Sequence, residues 1–186
     1  MRKILSGILA VLFLFGCSDE SKYLNNIIGL RELLNNSSKC SYVASVTLDY
    51  GDSLYVFSAN CTLDAENNMD FTIIEPVSIE GISGQLSGET GKLLFDEAVL
   101  AFPMLAGGDM MPITAPWLLV RTLKSGYINA CGSNSTGYFA RIDDSYNGVE
   151  LFTEVSFDES NNPISADIVW DGKRIVSITI RDFSIM

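Results

Sequence analysis

Ser41-Tyr42-Val43-Ala44-Ser45-Val46-Thr47-Leu48-Asp49-Tyr50 and, past Gly51 and Asp52, Ser53-Leu54-Tyr55-Val56-Phe57-Ser58-Ala59-Asn60-Cys61-Thr62-Leu63 each carry an apolar set that recurs with period two. That period belongs to half-buried strands. Tyr42, Ala44, Val46, Leu48 and Tyr50 share one face of the first, and Tyr55, Phe57, Ala59, Cys61 and Leu63 one face of the second. A turn at Tyr50-Gly51 sets Val46 against Tyr55, Ala44 against Phe57 and Tyr42 against Ala59, keeping both apolar sets on one side. This register places Cys40 opposite Cys61. A cross-strand disulfide is possible there if the pair is a non-hydrogen-bonded one, where the backbones come closest; the alternative is two small buried thiols. Cys131 reads as a further buried thiol.

Working outward, Met69 to Glu75, Val77 to Ile82, Gly84 to Ser87, Lys92 to Phe95 and Ala98 to Phe102 are short runs bounded by Gly, Pro, Asn or Asp, as in an antiparallel meander. Gly137 to Ile142, Val149 to Phe157, Ile164 to Val169 and Lys173 to Phe183 continue it. Trp170-Asp171-Gly172 is a hairpin signal, and a three-residue loop there sets Ala166 against Val176 and Ile164 against Ile178. Two segments have helical spacing instead. Lys22 to Asn36 carries Tyr23, Leu24, Ile27, Ile28, Leu30, Leu33 and Leu34, with Ser21 as cap; Pro116 opens a second run through Trp117, Leu118, Val120, Leu123 and Tyr127 that ends near Gly126.

The N-terminus reads as an address. Arg2 and Lys3 precede the apolar run Ile4 to Phe15, and Leu14-Phe15-Gly16-Cys17 followed by Ser18-Asp19-Glu20 has the layout of a lipobox. The run is too short to span a bilayer. Residues 1–16 are then a lipoprotein signal peptide, Cys17 the lipidation site, 17–21 a short lipidated tether and 22–186 one domain. The competing reading is an ordinary signal peptide with a chance cysteine. Several acyl chains on Cys17, each buried methylene contributing about 0.8 kcal/mol, would hold the domain on the membrane. Its location is then the extracytoplasmic side of the cell membrane, or an outer membrane in a Gram-negative cell.

Composition narrows the function. The 186 residues carry 12 Lys and Arg against 23 Asp and Glu, a formal charge of −11, and loss of Arg2 and Lys3 makes the mature chain more acidic. Such a surface repels nucleic acid and anionic head groups. Histidine, the commonest general base and metal ligand, is absent from the sequence. No nucleophile, base and orienter can be assembled, so no catalytic residues, metal or cofactor are assigned and an enzyme is not expected. Asp143-Asp144 and Asp158-Glu159 lack the ligand spacing of a calcium loop and read as solvated turns.

The order of elements resembles the LolA/LolB-like lipoprotein-carrier fold. The stretches that carry it are Cys40 to Ala44, Val56 to Cys61, Phe71 to Ile82, Pro163 to Ile168 and Gly172 to Ile180. The sequence is also similar to small lipoproteins of Gram-positive anaerobes that share this fold. The resemblance implies an α+β architecture, a strongly curved antiparallel half-barrel wrapped around two amphipathic helices, with an apolar cavity for acyl chains or other amphiphiles between them.

On this reading Met104, Leu105, Met110, Met111, Trp117 and Leu118 form the pocket or its lid, since methionine adapts to varied apolar shapes. The same residues equally suit a plug that fills the core. Two functions follow. The first is a membrane-anchored protein binding a lipid or other amphiphile between sheet and helices; the second is an envelope scaffold that holds a protein partner through the sheet face or an edge strand.

Overall fold

The computed structural model describes residues 18–88, 90–95, 98–103, 105–106, 109–145 and 150–186. Helix α1 (Ser18–Asn36) leads into β1 (Lys39–Asp49), β2 (Leu54–Asp64), β3 (Met69–Glu75), β4 (Ser83–Ser87), β5 (Thr90–Phe95) and β6 (Ala98–Pro103). The two-residue strands β7 (Leu105–Ala106) and β8 (Asp109–Met110) pair with each other, and a 3-10 turn, Pro112–Thr114, opens helix α2 (Ala115–Ser125). Strands β9 (Tyr127–Asn134), β10 (Gly137–Asp143), β11 (Leu151–Phe157), β12 (Pro163–Trp170) and β13 (Lys173–Ile185) follow. The eleven longer strands form one open antiparallel sheet in the order β6-β5-β4-β3-β2-β1-β13-β12-β11-β10-β9. Two meanders therefore meet where β13 pairs with β1. No described helix is long and apolar enough to cross a membrane.

One face of this sheet is the core. Along β1 the residues Cys40, Tyr42, Ala44, Val46 and Leu48 are buried while their neighbours are more exposed, and β11 repeats the pattern with Leu151, Thr153, Val155 and Phe157. Helix α2 lies on that face almost wholly buried, from Ala115 to Val120 and at Thr122 and Leu123. Helix α1 buries a narrower stripe, Ile27, Leu30 and Leu34, and leaves Leu24, Ile28 and Leu33 exposed. Burying each of those three aliphatic side chains contributes roughly 1.5–3 kcal/mol. That outweighs the weak helix propensity of Asn25, Asn26 and Gly29, of which glycine alone costs about 1 kcal/mol relative to alanine. Packing on the sheet, more than local preference, holds α1 helical.

Turn chemistry, not the apolar pattern, sets the registers. In the first hairpin Val46 faces Phe57, Ala44 faces Ala59, Tyr42 faces Cys61 and Cys40 faces Leu63, two residues away from the expected pairing. Both registers keep the apolar face, so alternation alone cannot choose between them. The loop decides: Gly51 has φ +88°, its N–H donates to Asp49 Oδ1 at 2.7 Å, and the strands part at Asp49 and Leu54 around four loop residues instead of two. The β12–β13 hairpin errs the other way. Asp171 and Gly172 both have positive φ, 47° and 73°, and Trp170 pairs with Lys173 across a two-residue turn. Ala166 accordingly faces Ile178, and a register shift at Ile168/Val169 absorbs the difference.

Three other expectations need correcting. Residues 76–81 are a turn where a strand over Val77 to Ile82 was expected. Tyr127 does not close α2 but opens β9, an edge strand that the Gly- and Asn-containing run to Asn134 concealed. Residues 18–36 are helical, so Ser21 lies inside α1 and does not cap it.

Candidate ligand cavity

Helix α1 is fixed along both its flanks. On one, the Arg31 guanidinium donates from Nε to the carbonyl of Leu123 at 2.8 Å and from Nη2 to that of Gly126 at 2.7 Å, and Asn35 donates to the carbonyl of Lys124 at 3.3 Å. A cation there satisfies the orphan carbonyls at the end of α2 and complements its dipole. Toward its N-terminus, the ring of Tyr23 stacks on Tyr138 at 5.1 Å, and Tyr138 stacks on Phe157 at 4.7 Å. The Cys131 thiol donates to the carbonyl of Glu20 at 3.4 Å.

The same aromatic ladder braces the turn that follows β11. Tyr138 donates its hydroxyl to Asn161 Oδ1 at 3.1 Å, and burial followed by repulsion from Asp158 pushes this phenol up to about 12. Within the turn, Asp158 Oδ1 accepts the N–H groups of Ser160 and Asn162, both at 2.9 Å, while Asn161 takes the left-handed conformation at φ 67°. Asparagine tolerates that region because its amide compensates locally. The turn is held from inside.

Strand β13 supplies the third wall through a change of phase. Val176, Ile178 and Ile180 point to the core at even positions, yet beyond them the half-buried residues are Phe183 and Ile185. Asp182, at φ 54°, is the extra residue: Val43 pairs with Arg181 and Ser41 with Ser184, so two residues of β1 match three of β13. Such a bulge re-aims the side chains after it. Phe183 reaches Tyr42, with ring centroids 6.0 Å apart.

Between these walls is an open cavity of about 580 Å³. Asn25, Asn26, Gly29, Leu30 and Leu33 line it from α1, Ser160 to Asn162 from the turn, and Phe183 and Ile185 from β13. A Cβ added at Gly29 would meet nothing within 4 Å, so the helix backbone is open to the cavity there. The volume lies in the range of sites for small organic ligands, and the lining combines an apolar floor with convergent amides. Among the described residues no cluster of His, Cys, Asp and Glu could hold a metal ion.

Three of the residues expected at a pocket, Met111, Trp117 and Leu118, lie away from this cavity. Cys17 and Met104 lie outside the described residues, and Leu105 and Met110 face each other as backbone partners of the small β7–β8 hairpin. Trp117 and Leu118 are buried in the core and Met111 packs against it. Trp117 donates its indole N–H to the carbonyl of Asn67 at 3.0 Å, under the Arg121 guanidinium 5.5 Å from the ring centre. None of these three lines the cavity.

Cys40 and Cys61 are free thiols here, because the observed register makes them diagonal and not opposite. Diagonal partners are about 7–8 Å apart, well beyond the roughly 3.5–4.5 Å between Cβ atoms that a disulfide needs. Burial pushes both thiols up to about 12. Cys131 is half-buried on the edge strand, more open than expected. What the sequence reading missed is the cavity face of α1. Asn25, Asn26 and Gly29 are poor helix formers inside an otherwise apolar-periodic helix, a local conflict that marks the place.

No family model matches the sequence, and no curated protein matches it significantly. Solved structures do resemble the fold. A conserved protein from Thermus thermophilus superposes with a TM-score of 0.48 at 10% identity, covering 88% of each chain. A LolA superfamily protein from Nitrosomonas europaea gives 0.42 at 10% identity over 91% of this chain and 94% of that one. The lipoprotein LppX of Mycobacterium tuberculosis gives 0.38 at 10% identity over 86% and 94%.

Proposed function

We propose that this protein is an envelope lipoprotein, anchored through Cys17, that binds a lipid or other amphiphile in the cavity between α1 and the rim of the sheet and catalyses no reaction. The carrying observation is the cavity itself: about 580 Å³, with Leu30, Leu33, Phe183 and Ile185 as apolar floor and side-chain amides at its mouth. An acyl chain laid on that floor buries its methylenes, each contributing about 0.8 kcal/mol, while the head remains at the polar edge. Ser18 is already helical and Cys17 is its neighbour in sequence, so an amphiphile bound along α1 would be held close to an anchor on Cys17. This arrangement suits holding or local hand-over better than transit.

The experiment combines anchoring and uptake. Expressed in bacteria, the full chain should incorporate labelled palmitate and sediment with membranes, and Cys17→Ser should do neither. An uncharged solvatochromic dye should bind the purified protein saturably, and Gly29→Phe, which fills the cavity, should weaken it by about tenfold or more with an unchanged circular dichroism spectrum. Equal dye binding by Gly29→Phe would sink the cavity reading.

A second reading, an envelope scaffold, is favoured by β6. It ends the sheet, and Ala98 to Ala101 are exposed and uncharged, with Leu94 and Phe95 of β5 exposed beside them. An apolar edge strand with no Lys, Glu or inner Pro invites a partner strand.

A further inference from the structure

We infer that the amphiphile is uncharged, with hydroxyl or amide groups in its head, such as an acylglycerol or a glycolipid; this rests on the cavity reading above. The mouth of the cavity is built from Asn25, Asn26, Ser160, Asn161 and Asn162, and among the described residues no ionisable side chain lines it. No hydrogen bond among the described residues engages the side chains of Asn25 and Asn26 or the Ser160 hydroxyl, so donors and acceptors face the opening uncommitted. Asn161 and Asn162 are oriented from behind by Tyr138 and Asp158, which leaves each with capacity to spare. Amides both donate and accept, matching hydroxyl and amide heads.

An anionic head finds amide donors there but no cation in the lining to pair with. Of the two cations of α1, Arg31 is spent on the carbonyls of Leu123 and Gly126 on the other flank of the helix, and Lys22, one turn before Asn25 and Asn26, is not among the lining residues. Asp158 heads the turn that carries three of the five polar residues, and the whole chain has a formal charge of −11. Moving a carboxylate or phosphate into such a site, unpaired, is unfavourable. Repulsion adds to that penalty. The second independent sign is the composition of α1, where Asn25, Asn26 and Gly29 sit at the cost of helix propensity and all three face the cavity.

Three photoreactive amphiphiles with one common tail, bearing a glycerol, a carboxylate or a phosphate head, test this in phosphatidylcholine vesicles carrying the full anchored chain. Peptide mapping reads the labelling of residues 25–33. The glycerol probe should label this segment about tenfold or more above either anionic probe at neutral pH. Asn26→Lys should bring the anionic probes level or ahead, and Gly29→Phe should abolish labelling by all three. Equal or preferential labelling by an anionic probe, still lost in Gly29→Phe, overturns the head-group inference and leaves the cavity reading standing. Labelling that Gly29→Phe does not touch overturns both.

Discussion

At the level of single residues, Gly29 is the position where stability and the proposed function diverge. A Cβ there meets open space, so Gly29→Ala carries no steric cost and removes a backbone-entropy penalty of about 1 kcal/mol. The variant should melt about 2–4 °C higher in a calorimetric scan. A lower melting temperature would mean that the glycine is needed for close packing. The buried thiols make a second, pH-dependent statement. Cys40 and Cys61 stay protonated in the fold up to about 12, against an ordinary value of 9.0 that the unfolded chain regains. Above pH 9 the unfolded state therefore binds fewer protons than the native one, and stability falls as pH rises toward 12, being fully present below 9. Urea unfolding at pH 7 and pH 10 should show a lower midpoint at pH 10, with the difference reduced in Cys40→Ala/Cys61→Ala.

Among the elements, β13 depends on one residue to face correctly at both ends. Asp182 supplies the left-handed step that turns Phe183 and Ile185 to the same side as Ile180. Glycine accepts that conformation freely, whereas a β-branched residue is strained there by roughly 1–2 kcal/mol. Asp182→Gly should therefore keep or raise the urea midpoint and Asp182→Val should lower it; equal midpoints would argue against the bulge. In α1 the apolar positions predicted a helix, and a helix forms, but the side that lines the cavity was visible only as a weakness of propensity at Asn25, Asn26 and Gly29. Strand β9 was not legible at all. Its Asn-Ala-Cys-Gly-Ser-Asn run has neither alternation nor β-branched residues beyond Ile128, and it becomes a strand because β10 offers an open ladder.

For the molecule as a whole, one large open sheet leaves two edges, and β6 is the apolar one. If the scaffold reading is right, Leu100→Lys should abolish recovery of the envelope protein captured by the wild-type chain, with amphiphile uptake unchanged; capture unaltered by the substitution would exclude the edge as the contact. The alternating runs, the helical spacing at 22–36 and 116–123 and the excess of carboxylates were sufficient to predict an α+β chain with a long antiparallel meander, because period and charge are local properties. Registers, the bulge at Asp182 and the cavity were not, since each depends on contacts between segments far apart in sequence. Two registers of β1 and β2 bury the same face, and the Asx turn at Asp49 selects one of them. The methionine-rich loop matched a pocket by composition, yet the described part of its surroundings packs into the core; the open volume lies instead where a bulge, a braced turn and a glycine converge. Apolar pattern determines what must be buried, and only the assembled tertiary structure decides where burial is left incomplete.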